Sequence, residues 1–327
     1  MVALAREGGH DIDVGRALGA VREEARSRRA KEMTWSGPVG RVQTLWRFPV
    51  KSMLGEQLAA VVVGRGGILG DRAYAVRDRA TGKVASAKYP RRWPGLLACR
   101  AAFVEPPCID DELPPVRIEL ADGDSVLSDA PDVDAVLSRF FGRDVELART
   151  AQNGYTIDQY HPAEENYDPE GHRDEVVEAR FGAAFFNDRG LPSAVSEGSF
   201  FDLFPLSVIT SSTLERLHEL APQSRFEARR FRMNVVVETP ARGFVENDWP
   251  GHTLTIGDDV RIGVAIPDPR CVMPSLAQGD LPPDPKVLKA LMHNRIEVAG
   301  SLYPCAGVYA VTEATGTVRG DDLVCLL

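Results

Sequence analysis

Residues 260–276, VRIGVAIPDPRCVMPSL, decide how this chain is read. Val260, Ile262, Val264 and Ile266 alternate with small or polar residues, the two-residue period of a strand with one buried face. Pro267 and Pro269 each lack an N–H, so the expectation is that they stop the strand. Arg270 and Cys271 follow at once, and Pro274 keeps the chain irregular beyond them. The strand is thus expected to deliver one thiol, beside one cation, to a loop rim. A neighbouring guanidinium favours the thiolate. Thiolate is the form that binds a soft metal or attacks an electrophile.

The 327 residues are 44% hydrophobic and 26% charged, enough for a sizeable core and two domains. The net charge of -9 speaks against a nucleic-acid surface, which needs basic patches. No apolar run approaches the roughly 20 residues of a membrane helix. The N-terminus shows no secretory h-region. The cysteines (Cys99, Cys108, Cys271, Cys305, Cys325) are odd in number and contain no C-x-x-C pair, unlike a disulfide scaffold or a structural zinc site. A reducing, cytoplasmic protein is expected. No G-x-S-x-G, P-loop, H-E-x-x-H or G-x-G-x-x-G occurs, which leaves out the commonest hydrolase and nucleotide sites.

Outward from the opening stretch, the fold class reads as mainly β with a few helices (α+β). Residues 1–37 read as a charged, core-poor extension, expected to be disordered or helical, and Met33 offers an alternative start. Residues 38–150 contain short strand-like runs between turn signals such as GRGG and ADGDS, the pattern of a β-barrel-like domain. One strand there ends at Pro49, and Lys51 and Ser52 follow in a loop; the turn ILGDR places Asp71 and Arg72 at the next strand. A helix is expected from Asp132, as its cap, to Phe141, with Gly142 ending it. Residues 151–204 read as a long irregular insertion or lid. Its His161, His172, Glu164, Glu165, Asp168 and Asp174 lack a metal-ligand spacing and read as a solvated loop. Residues 205–327 form a second β-rich domain. In it LSVIT runs into the helix SSTLERLHEL, with Ser212 and Glu215 as capping box and Thr210 and Ser211 at a corner that could take an anion. RRFRMNVVVET reads as a strand with Arg229, Arg230, Arg232 and Asn234 at its entrance, open to the reading of an exposed basic edge. TIGDDVRIGV and TVRGDDLVCLL read as two similar hairpins. Cys99 and Cys325 sit in apolar runs as small core residues, whereas Cys108 and Cys305 lie near prolines in loops. Cations gathered in one cleft of an acidic protein suit an anionic small ligand.

Several elements, in order from Val39 to Leu327, resemble one family. FPVKSM resembles Y-P-V-K-S, GDRAY resembles R-D-R, and RFRMN resembles F-R-P-N. VITSSTL, FVENDWPGHTLTIG and PRCVMPS match the strand-to-helix corner, the E-D-x-W…I-G segment and the cysteine loop. The chain is similar to a MOSC-domain protein with a MOSC N-terminal β-barrel, the group that contains the amidoxime-reducing molybdenum enzymes. It departs from that pattern at Met233, where the family has proline, and after Cys271, where T-x-x-D-x-x-T-G is missing. The resemblance implies an N-terminal barrel domain packed on a MOSC domain. It implies a molybdenum pyranopterin cofactor held by Lys51, Ser52, Arg72, Thr210, Ser211, Arg232, Asn234 and Arg270, with Cys271 as the metal ligand. The expected function is reduction of an N-hydroxylated small molecule with electrons from a separate flavin or haem reductase. The alternatives are a sulfur carrier using a Cys271 persulfide and a binding module with an inert cysteine.

Overall fold

The computed structural model describes residues 37–190 and 192–327. Readings placed on residues 1–36 lie outside the described residues. The architecture is mainly β, with five α-helices among the described residues. Seven strands close into a barrel. In spatial order they are Leu206–Thr210, Val235–Glu238, Gly37–Arg47, Leu323–Leu326, Thr253–Ile256, Val260–Pro269 and Ser301–Ala314, the last pairing back to the first. The inward residues are the apolar alternates of these strands, among them Val42, Val208, Val235, Leu254, Ile262, Val264, Val308 and Val324. Closure leaves the barrel without a free edge, and the alternation supplies its core.

Two barrel strands, Leu206–Thr210 and Val235–Glu238, are parallel neighbours joined through the helices Ser211–Leu220 and Ala228–Phe231. The first helix packs Leu217 with Ile209, Phe231 and Val236 on the outside of the barrel wall. Its cap differs from expectation. Thr210, not Ser212, is the N-cap, and its Oγ1 accepts from Thr213 N at 3.2 Å. Ser212 instead donates to Gly243 O.

The strand Gly37–Arg47 comes from the N-terminal region yet pairs with strands near residues 235 and 323, so the barrel is shared by both ends of the chain. Of the remaining N-terminal strands, Ala60–Gly64 pairs with Gly316–Arg319 and packs Val61 and Val63 into the barrel core, while others build small sheets around Val50, Met53, Tyr74, Leu96 and Ile118, with the helix Val133–Phe141 laid across. That helix ends at Gly142 as expected (φ 64°), but Asp132 makes no side-chain cap bond. The two GDD segments also differ. Thr253–Ile256 and Val260–Pro269 are a hairpin; Gly316–Arg319 and Leu323–Leu326 pair into different sheets. Residues 151–204 are less irregular than expected, with a hairpin of Ile157–His161 and Glu175–Ala179 and a helix at Gly182–Asn187. Phe181 and Phe200 anchor this segment on Ala75, Val84 and Tyr155.

The opening stretch behaves differently at its prolines. The strand continues through Pro267 and Pro269, with register shifts between Val264 and Ile266 and between Pro267 and Pro269. Its ladder with Thr253–Ile256 has ended by Gly263, so the prolines sit where only the Ser301–Ala314 side pairs. Cys305 lies within that partner strand, buried, and not in a loop.

Candidate functional site

Six separate stretches, around Lys51, Arg72, Lys88, Asp202, Arg232 and Cys271, meet where the Val260–Pro269 strand runs out. Cys271 is half-buried, packed beside Ala87, Leu97 and Met273. Arg270, just before it, is held through its backbone and both terminal nitrogens. Its N–H donates to Pro304 O, its Nη2 to Phe231 O at 2.6 Å, and its Nη1 pairs with Asp268. Arg270 Nε and Asp268 Oδ1 are buried with no partner. Burial pushes the Asp268 carboxyl up to about 6, although Arg270 pulls the other way.

Lys51 reaches the same place from the loop after Pro49. Its Nζ donates to Phe200 O at 2.8 Å and to Asp202 Oδ1 at 2.6 Å, and lies over the Phe181 ring. Burial lowers its pKa to about 8. Lys88 binds the other Asp202 oxygen at 3.2 Å. One carboxylate therefore serves two ammonium groups. The burial that would raise Asp202 is outweighed by both lysines, and its pKa falls well below the carboxylate range. For Lys88 burial is outweighed by Asp202, Cys271 and Asp268, and its pKa rises. Ser52, at φ 66°, accepts from Ala87 N at 3.1 Å and so ties the Lys51 loop to the Lys88 loop.

Arg72 and Arg232 both lie over the Phe48 ring, at 4.4 and 4.3 Å. Arg72 pairs with Asp71 and donates to Arg232 O; Arg232 donates to Met53 O. Burial first, and Arg72 second, lower the Arg232 pKa to about 9. Arg232 has a left-handed backbone (φ 56°) as it leaves the short helix, which turns the chain from helix into strand. Asn234 is fully occupied inside the fold, donating to Asp71 and Trp46 O and accepting from Ser207.

Thr210 and Ser211 stand at the other end of the Leu206–Thr210 strand from Ser207. Thr210 is three residues along the strand from Ser207, roughly 10 Å at the rise of a parallel strand. It is fully buried and donates to Glu246 at 2.7 Å, while Ser211 accepts from Thr239 N. The structure thus gathers Lys51, Ser52, Arg72, Arg232 and Arg270 with Cys271. It sets Asn234 behind them and Thr210 and Ser211 at the other end of the strand.

Sequence reasoning missed Lys88, Asp202 and the role of Arg230. Asp202 carried a signal: a single carboxylate among Phe200, Phe201 and Phe204 implies burial beside a cation. Arg230 is not part of an exposed basic edge. It is fully buried and donates to the carbonyls of Arg225, Pro274, Leu276 and Pro282. It thereby shapes the loop after Cys271. The histidines of residues 151–204 also come together, around Asp168, instead of facing solvent separately.

The MOSC domain matches residues 196–324, and the MOSC N-terminal beta barrel domain matches residues 39–154. The chain belongs to the MOSC family. MOSC domains are associated with molybdenum-cofactor binding. No curated protein matches this MOSC chain significantly. Among solved structures, it is similar to the YuaD protein of Bacillus subtilis at 11% identity, over 89% of this chain and 97% of that one, with a TM-score of 0.41. It is similar to YiiM of Geobacillus stearothermophilus at 16% identity, over 38% of this chain and 54% of that one, with a TM-score of 0.27. Among the described residues of this MOSC protein, no helix is long and apolar enough to cross a membrane.

Proposed function

We propose that this MOSC protein binds a molybdenum pyranopterin through Cys271 and reduces an N-hydroxylated small molecule. One observation carries the reading: a half-exposed thiol stands among the side chains of Lys88, Arg232 and Arg270, with Lys51 and Arg72 next to them. The donor set suits such a group. A thiolate is a soft ligand for the metal, and clustered guanidinium and ammonium groups suit a phosphate. The orphaned Nε of Arg270 is a donor that a bound anion would satisfy.

When bound, this cofactor supplies the two-electron reduction of an N–O bond. The balance also needs two protons, with water leaving and an N–H formed. Asp268 is the nearby candidate to give one of them. It is buried, sits beside Arg270, and keeps its proton up to about pH 6. Lys51, Lys88, Arg72, Arg232 and Arg270 would hold the negatively charged phosphate of the cofactor. Ser52, which joins the two lysine loops, Asn234, which braces Asp71, and Thr210 and Ser211 at the helix cap would complete the cofactor's surroundings. The electrons come from a separate flavin or haem reductase.

The test is metal analysis of protein made in a host that synthesises the cofactor. One molybdenum per chain is expected in the wild type, with loss in Cys271→Ala. No stoichiometric molybdenum, or equal loading in the variant, overturns the proposal. A sulfur adduct on Cys271 with no bound metal would instead identify a sulfur carrier.

A further inference from the structure

Residues 155–195 lie between the two domain matches and belong to neither. Within them His161, Asp168 and His172 bring one ligand atom each to within 4.8 Å of one another. His161 ends the strand Ile157–His161, whose backbone is tied to Lys88 O through Tyr160 N. Asp168 and His172 come from the connection to the next strand. Asp168 organises that turn: its Oδ1 accepts from Glu170 N, and its Oδ2 from His172 N at 3.0 Å. The same Oδ2 faces two imidazoles, with His161 Nδ1 at 3.3 Å and His172 Nδ1 at 2.6 Å. The Asp168 side chain is 7% exposed and that of His161 12%.

From this geometry we infer that His161, Asp168 and His172 form a second metal site, for a divalent ion such as zinc(II) or iron(II). Two imidazoles and one carboxylate are the donor set such ions take, leaving open positions. Ligands about 2.0–2.1 Å from a tetrahedral ion stand about 3.4 Å apart, so the His161–Asp168 spacing already fits. The His172–Asp168 contact must open from a hydrogen bond by less than an ångström, within the reach of side-chain rotation. Gln159 Nε2 lies 3.3 Å from His161 Nε2, and turning its amide over would bring Oε1 there to accept the N–H that a ligating imidazole offers. Glu170 Oε2, 3.7 Å from His172 Nδ1, is near enough to become a further ligand.

The ion would brace the wall of the Cys271 site. Tyr167, adjacent to Asp168, is buried and donates from its hydroxyl to Arg270 O at 2.7 Å. Fixing Asp168 therefore fixes the segment that leans on the residue before Cys271. The ion's role is to hold this segment in place, not to take part in the redox step.

The experiment titrates cobalt(II) into the full chain made in a host unable to synthesise the pyranopterin. One equivalent is expected to bind, with d–d bands of imidazole and carboxylate ligation and no thiolate charge-transfer band. Cys271→Ala should bind equally, while His172→Ala and Asp168→Asn should lose the stoichiometric ion. No stoichiometric cobalt in the folded wild type overturns the inference. So does unchanged binding in folded His172→Ala, or a thiolate band that vanishes in Cys271→Ala. Should neither ligand variant fold, the wild-type spectrum decides alone. Zinc content and molybdenum content are independent readouts, so this site can fail while the cofactor proposal stands, and the reverse.

Discussion

Lys51 Nζ and Asp202 Oδ1 are 2.6 Å apart across 151 positions of sequence. The contact clamps the first loop of the N-terminal region to the segment that enters the MOSC barrel. The lysine side chain is 5% exposed, so removing its counter-charge leaves an ammonium in a poorly solvated place. Asp202 is 33% exposed, so Asp202→Asn is expected to cost about 1–3 kcal/mol in denaturant unfolding, less than a fully buried pair. A cost below about 1 kcal/mol, the range of surface pairs, would show that water reaches the pair.

The same lysine should leave a mark on stability at alkaline pH. Its pKa is about 8 in the folded chain against 10.5 ordinarily. Between those values the unfolded chain keeps the proton that the folded chain has lost, so this contribution to stability rises with pH. Relative to Lys51→Met, the wild type should gain stability across that window. A flat difference would mean that Asp202 holds the lysine fully charged. Asp202 acts at the acid end: its lowered pKa gives stability that is present above the ordinary carboxylate range and lost as pH falls through it.

Arg230 binds four carbonyls around the cysteine loop, whereas its neighbour Arg229 makes half-exposed pairs with Glu227 and Asp280. Arg230→Met should therefore cost several times as much stability as Arg229→Met, on the order of 3 kcal/mol against at most about 1. Equal costs in urea unfolding would refute the hub role.

If Asp268 supplies a proton, reduction of an N-hydroxylated substrate should slow as pH rises through about 6. Asp268→Asn should be slow at every pH and lose that limb. A pH profile that Asp268→Asn leaves in place would assign the proton to another group.

Thiol labelling should separate the cysteines by burial. Cys108 and Cys271 should react in the folded chain, while Cys99 and Cys305 wait for unfolding. Burial also pushes the Cys99 thiol up to about 11, which keeps it protonated. Early modification of Cys305 would mean that the Ser301–Ala314 strand opens locally.

Strand periods, turn residues and the order of short motifs were legible in one dimension, because side-chain alternation and proline or glycine geometry act over a few residues. They sufficed for the β class, the family resemblance and the thiol at a strand end. Local rules also misled at particular places. The prolines at 267 and 269 entered a strand because one side of it is unpaired there, which only the neighbouring strands determine. Thr210 took the cap from Ser212 because Gly243 offered Ser212 another acceptor. The Gly37–Arg47 strand, the Lys51–Asp202 pair, the burial of Arg230 and the grouping of His161 with Asp168 and His172 all depend on residues far apart in sequence. Burial and charge pairing are properties of the folded neighbourhood, so those features were decided by tertiary structure alone.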